Sequence, residues 1–199
     1  HILLGIQSLL AVFVSINRLT VWFTGYVLPN EFLRWVDLNN VIVALISMVA
    51  GYLLKKTLEY NSPSREGPAH TAWNLVFIIG VFISAVSYGF HEMGNYLHFR
   101  FCLEDTTSDL CRIVIFNDDE FSHWLFFAGF IMVNAAILFI QNIFPHRGEV
   151  KGGDVALLLL NSLFLGLGVM ANLGFEEIGL DLYIVALLAI VSAFLLWKR

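Results

Sequence analysis

The chain has 199 residues, 58% of them hydrophobic and 14% charged, with a mean hydropathy of +0.77 and a formal net charge of −5. A soluble domain is nearer 45–50% apolar and about 25% charged, so an ordinary water-soluble fold is excluded, and the lack of a basic patch argues against nucleic acid as a partner. The apolar excess lies in runs long enough for a bilayer, which a helix of about 20 residues crosses.

In chain order, six spans are predicted. They cover about 2–25, 38–54, 72–98, 120–143, 155–173 and 180–197. The gaps between them hold Pro, Gly, Asn or charge. Helices are expected, because each satisfies its own backbone within lipid. A barrel would need short alternating segments instead. The expected fold is all-α, a polytopic membrane helical bundle forming one integral membrane domain over residues 1–199. Trp22, Trp35, Trp73, Trp124 and Trp197 are read as interfacial anchors. Gly166 and Gly168 are read as sites of close helix packing. The first residue is His1 rather than Met, so the natural start is expected upstream, and a signal peptide is neither claimed nor excluded.

Orientation follows from the basic residues. The linker after the second span carries Lys55, Lys56 and Arg65, the 144–153 linker carries Arg147 and Lys151, and the end carries Lys198 and Arg199. With six spans these segments share one side, expected to be cytoplasmic together with both termini. His70 and His146 fall in these cytoplasmic linkers, where no ligand role is expected. Most acidic residues fall on the other side. The longest outer loop is "FRFCLEDTTSDLCRIVIFNDD", with the only two cysteines, Cys102 and Cys111. A disulfide on the non-cytoplasmic side is expected there. Two free thiols in a reducing compartment are the alternative. The host membrane is expected to be the plasma membrane or an endomembrane.

On the third span Ser84, Ser87, His91, Asn95 and His98 recur every three or four residues, one stripe of a helix. Such a stripe should face the bundle interior or a wet cavity. Glu92 lies beside it, turned by about 100°. The fourth span opens "NDDEFSHW", where Asp119 and Glu120 stand four and three residues before His123. A Glu-x-x-His pair on one helix face builds di-metal carboxylate sites in bundles. Asn161, Asn172 and Glu176 roughly share one side of the fifth span, with Glu177 beside them, and Arg18 lies toward the same end of the first, placed to neutralise a carboxylate. The candidate metal ligands are therefore His91, His98, His123, Glu92 and Glu177, with Ser87, Asp119 and Glu120 as candidate catalytic groups. Imidazole with carboxylate suits zinc or another transition metal. Each residue also has a plain structural role open to it: helix capping for Asp119 and Glu120, interhelical hydrogen bonding for the histidines and asparagines.

Ser87 and His91 in "SYGFH", followed by Asp119 in "NDDEF", form a pattern similar to the alkaline ceramidase branch of the CREST membrane hydrolases. That resemblance implies Ser87 near the reacting oxygen, His91 as a zinc ligand and Asp119 near the catalytic water. It covers about a sixth of the chain. No histidine follows His146, so Glu176 and Glu177 would replace the late histidine pair of that family, and six spans would replace seven. "HEMGNYLHF" and "HWLFFAGF" also look like the metal-ligand helices of the C subunit of copper membrane monooxygenases. The leading expectation is a metal-dependent enzyme at the outer face that hydrolyses amide or ester bonds of membrane lipids. Two alternatives stand beside it. One is a non-catalytic helical subunit with membrane-protein partners or an oligomer; the other is an ion-coupled transporter.

Overall fold

The computed structural model describes residues 1–60, 67–145, 148–176 and 180–198, with the backbone alone at 169–176, 180 and 181. Among the described residues six helices follow one another. They are α1 (Ile2–Leu19), α2 (Trp35–Glu59), α3 (Pro68–Cys102), α4 (Asp109–Ile143), α5 (Gly152–Glu176) and α6 (Leu180–Trp197). No strand accompanies them there, only an isolated bridge between Tyr26 and Arg34. Helices α1 to α4 are long and apolar enough to cross a membrane. The described apolar parts of α5 and α6, Gly152–Gly168 and Leu182–Trp197, are shorter.

Helix ends differ from the predicted ones where polar groups find partners inside the fold. Helix α1 stops at Leu19 because Thr20 turns extended and its hydroxyl accepts the amide of Trp22. Helix α2 runs past both predicted ends. At its start Arg34 forks onto Asp37, and at its finish Lys55 reaches Glu59 at 2.6 Å. Lys55 is thus a buried helical residue rather than part of a linker. His70 likewise lies in the first turn of α3, buried against the Glu59 carboxylate at 2.8 Å.

The largest difference concerns the predicted outer loop. Only residues 103–108 leave the helix. Helix α3 closes in a π turn at His98–Cys102, and α4 begins at Asp109 and passes through a second π turn at Phe116–Phe121. Cys102 and Cys111 form a disulfide across the turn, with Cα atoms 5.3 Å apart. Ser108 caps α4 by accepting the Cys111 amide. Asp105 accepts from the Thr107 and Ser108 amides. The Ser108 hydroxyl and those two amides hold its carboxyl down at about 2.

The α3–α4 pair is the axis of the fold. A Cβ on Gly129 of α4 would lie 2.8 Å from the Gly80 carbonyl oxygen and would overlap the Ser84 hydroxyl; one on Gly80 would meet the Met132 Cβ at 2.8 Å. The missing methyls let the two backbones touch, as small residues four apart do between membrane helices. Ala136 and Ile140 of α4 are fully buried along the same axis. Away from it, Leu45, Ile78, Phe82, Leu159 and Ile190 point outward. Exposed apolar faces of this extent suit hydrocarbon rather than water as solvent.

Candidate functional site

Polar side chains of α1, α2 and α3 join in a directed chain. Asn39 donates to the Asn17 side-chain oxygen at 2.9 Å, and Asn17 donates to Asn40 Oδ1 at 2.8 Å. Asn40 in turn donates to Glu92 Oε2 at 3.0 Å. The other carboxylate oxygen of Glu92 lies 3.2 Å from His91 Nδ1, and His91 Nε2 lies 3.3 Å from Arg18 Nη2. These partners assign the His91 tautomer. Arg18 can only donate, so Nε2 accepts, and the proton on Nδ1 is donated to Glu92. Glu92 is 7% exposed, and each of its oxygens has a donor. A buried charge is tolerable on that condition.

His123 of α4 stands beside His91, with ring centroids 5.4 Å apart. Its Nδ1 lies 2.6 Å from the Asp119 carbonyl oxygen one turn earlier. A carbonyl only accepts, so Nδ1 carries the proton and Nε2 is the acceptor nitrogen of the neutral ring. Metal-binding and base histidines are commonly oriented in this way.

Around the π turns lies a second group. His98 Nδ1 is 3.1 Å from Asp118 Oδ2. His98, Asp118 and Asp119 each offer a ligand atom within 4.8 Å of the others, and the three could hold a metal ion. Asp118 is 1% exposed, and its Oδ1 is buried with no hydrogen-bond partner among the described residues. Gly94 makes the approach possible, since a Cβ there would meet the Asp118 Cα at 3.1 Å. A π bulge resets the helical register, and such bulges often mark functional sites.

The His91 and His123 rings open onto a cavity of about 520 Å³, within the roughly 300–1,000 Å³ range of small-molecule sites. Arg18, Glu92, Ser87 and Tyr88 also line its polar end. Leu10, Val14, Val43, Phe126, Phe130 and Ile184 line its apolar body. Gln7 and Ser47 lie at the far end, where the Gln7 amide donates to the Ser47 backbone carbonyl and the Ser47 hydroxyl donates to the Gln7 side-chain oxygen. From Gln7 to Arg18 is eleven residues of helix, about 16 Å at 1.5 Å each. That is about half of a ~30 Å hydrocarbon core, the depth of one leaflet.

The structure therefore brings His91, Glu92 and His123 together at one cavity, and places His98 with Asp119 one turn earlier in α4. Ser87 lines the cavity, but its hydroxyl donates to the Ser122 carbonyl at 2.8 Å and ties α3 to α4. Glu120 lies on an exposed face of α4, outside both groups. Glu177 lies outside the described residues, and of Glu176 and Asn172 only the backbone is described. Asn161 meets Ser8 of α1 instead. Reading the sequence missed Asp118, Asn40 and Arg34. The paired asparagines 39 and 40 in an apolar helix were the available signal, since intramembrane amides demand partners. Compared with known protein families, curated proteins and solved structures, the chain matches none.

Proposed function

We propose that this chain is an integral membrane protein of six spans with both termini cytoplasmic, and that it hydrolyses an amide or ester bond of a membrane lipid at the outer leaflet. The observation that carries this reading is the shape of the cavity: one leaflet deep, apolar along its body, and closed at one end by imidazole and carboxylate groups. A lipid chain in the body sets its polar linkage beside His91 and His123. Zinc or another transition metal held by His98, Asp118 and Asp119 would supply a water acidified toward neutral pH. His123 Nε2 takes the proton of the attacking water and returns it to the leaving amine or alcohol as the carbonyl–heteroatom bond breaks. Glu92 holds the His91 ring in its tautomer, and Arg18 offers positive charge to the oxygen that becomes negative.

The test uses full-length protein purified in detergent. Metal content is measured for wild type, His98→Ala and Asp118→Asn, and hydrolysis is measured on vesicles carrying amide- and ester-linked lipids. Stoichiometric metal in wild type, lost in both variants, is expected, with turnover reduced at least a hundredfold in His123→Ala. Metal-free wild type with no turnover on either lipid class would refute the reading.

A further inference from the structure

The apolar cavity ends against a polar layer. Gln7 of α1 and Ser47 of α2 bond reciprocally there, amide to backbone carbonyl at 2.8 Å and hydroxyl to side-chain oxygen at 2.7 Å. The next residue of α1, Ser8, is buried and donates to the Asn161 side-chain oxygen of α5 at 2.8 Å. Two neighbouring residues of α1 thus tie it to two other helices at one level. Among the described residues, none of α1 before Gln7 and none of α2 after Ser47 lines the cavity. On α5 its wall stops at Leu165, one turn above Asn161.

Hydrogen bonds between membrane helices serve as packing glue wherever they occur. The Gln7–Ser47 pair stands where an apolar chain would have to pass. A methyl group pushed between the two would leave an amide and a hydroxyl unpaired in hydrocarbon, which is costly. The side wall is apolar and firm. Phe126 packs with Phe130 at 5.9 Å between centroids and meets Tyr88 edge-on at 6.1 Å, so the rings hold one another in place.

The depth above this layer is short. At 1.5 Å per residue, Ser47 lies about 10 Å along α2 from Asn40, the partner of Glu92. Gln7 lies about 16 Å along α1 from Arg18, the partner of His91. An extended alkyl chain advances about 1.25 Å per carbon, given a carbon–carbon bond of about 1.5 Å. The slot therefore takes about 8–13 carbons.

We propose that Gln7 and Ser47 form the floor of the acyl slot and select lipids by chain length, admitting about 8–13 carbons. The inference rests on the lipid reading of the cavity and adds a limit on the chain.

The test uses the full chain in a detergent without alkyl chains. It is given an equimolar mixture of saturated glycerol monoalkyl ethers of about 8–18 carbons, the upper end well past the slot. Ethers carry no amide or ester bond to hydrolyse. Retention of each length, read by mass spectrometry, is expected to peak at or below about 13 carbons and to be at least fivefold lower at about 18, the low end of an overpacking penalty. Gln7→Ala shortens the floor and should move the peak about two to four carbons longer, the reach of the lost side chain. Ser47→Leu adds bulk there and should move it shorter. Ser8→Ala breaks the tie to α5 without touching the cavity wall and should leave the peak in place. If Ser47→Leu fails to fold, Gln7→Ala and Ser8→Ala carry the test. A peak that stays put in Gln7→Ala, or shifts equally in Ser8→Ala, overturns the floor and leaves the lipid cavity standing, the bonds then being glue alone. Equal retention of every length by wild type overturns it as well. If no ether is retained at any length, the lipid reading falls and the floor with it.

Discussion

Glu92 shows how much of the site depends on one atom type. A carboxylate accepts from Asn40 and from His91 at once, and so fixes which nitrogen of His91 faces Arg18. Gln at this position can still accept from Asn40, but it then turns an N–H toward His91 Nδ1. The ring must change tautomer to accept it, which sets an Nε2–H against the Arg18 guanidinium. Glu92→Gln is therefore expected to fold with a stability loss of about 1.5–3 kcal/mol, the worth of hydrogen bonds to a charged group. Chemical denaturation in detergent measures that loss, and 15N shifts of the His91 ring report the exchanged tautomer. An unchanged His91 tautomer in the variant would refute the assignment. The stripe Ser84, Ser87, His91, Asn95 and His98 was legible in the sequence because helical spacing alone sets a face, and this face does turn inward. Ser84 sits under Gly129, Ser87 meets Ser122, Asn95 meets Arg34 and His98 meets Asp118. Asp118 was not legible, because the π turn at Phe116–Phe121 shifts the register by which a helix face is counted.

At the scale of elements, the close contact of α3 with α4 sets the spacing on which both polar groups depend. Ala at Gly129 must push against the Gly80 carbonyl and the Ser84 amide, each 2.8 Å from the new Cβ. Backbone cannot swing aside as a flexible side chain can. Gly129→Ala is expected to cost about 1–3 kcal/mol by overpacking. Gly51 of α2 has open space around the same methyl, so Gly51→Ala should be neutral or stabilise by up to about 1 kcal/mol through helix propensity. Unfolding of the two variants side by side in one detergent tests the contrast, and equal effects would remove the close-contact argument. Gly166 and Gly168 are the glycines that the sequence suggests for this role. Gly166 has nothing within reach of its Cβ, while Gly168 comes within 3.3 Å of Ala11. The closer pair was visible as Gly80 and Ser84 four residues apart, but its partner Gly129 could not be found without knowing which helices are neighbours. The charged run 99–119 misled for a related reason. Charge there predicts a loop, yet the disulfide and the Ser108 cap let both helices continue almost to the turn.

For the whole molecule, helices α3 and α4 have 35 residues each, about 52 Å at 1.5 Å per residue, against a hydrocarbon core of ~30 Å. They must project beyond the lipid or tilt strongly. The π turns, the disulfide and the exposed acidic residues all lie at the same end of the pair, so that end is the natural one to project. The number and order of apolar runs were legible because hydropathy is additive along a chain. Sidedness rested on basic residues, and here the structure removes part of the support, because Lys55 is buried and paired with Glu59 rather than presented to a membrane surface. Lys56, Lys151 and Lys198 still favour a cytoplasmic side at the end opposite the disulfide. In a background with both cysteines replaced by serine, Thr106→Cys in the 103–108 turn should react with a membrane-impermeant thiol reagent applied to intact cells. Gly148→Cys in the segment between α4 and α5 should react only after permeabilisation. The reverse pattern would invert the topology and move the polar site to the cytoplasmic leaflet. The background also carries its own expectation. A bridge closing so short a loop contributes about 2–3 kcal/mol in the chain-entropy view. The double serine variant should therefore unfold earlier than wild type yet bind added zinc as wild type does, because His98, Asp118 and Asp119, which could hold a metal ion, lie outside the loop that the disulfide closes.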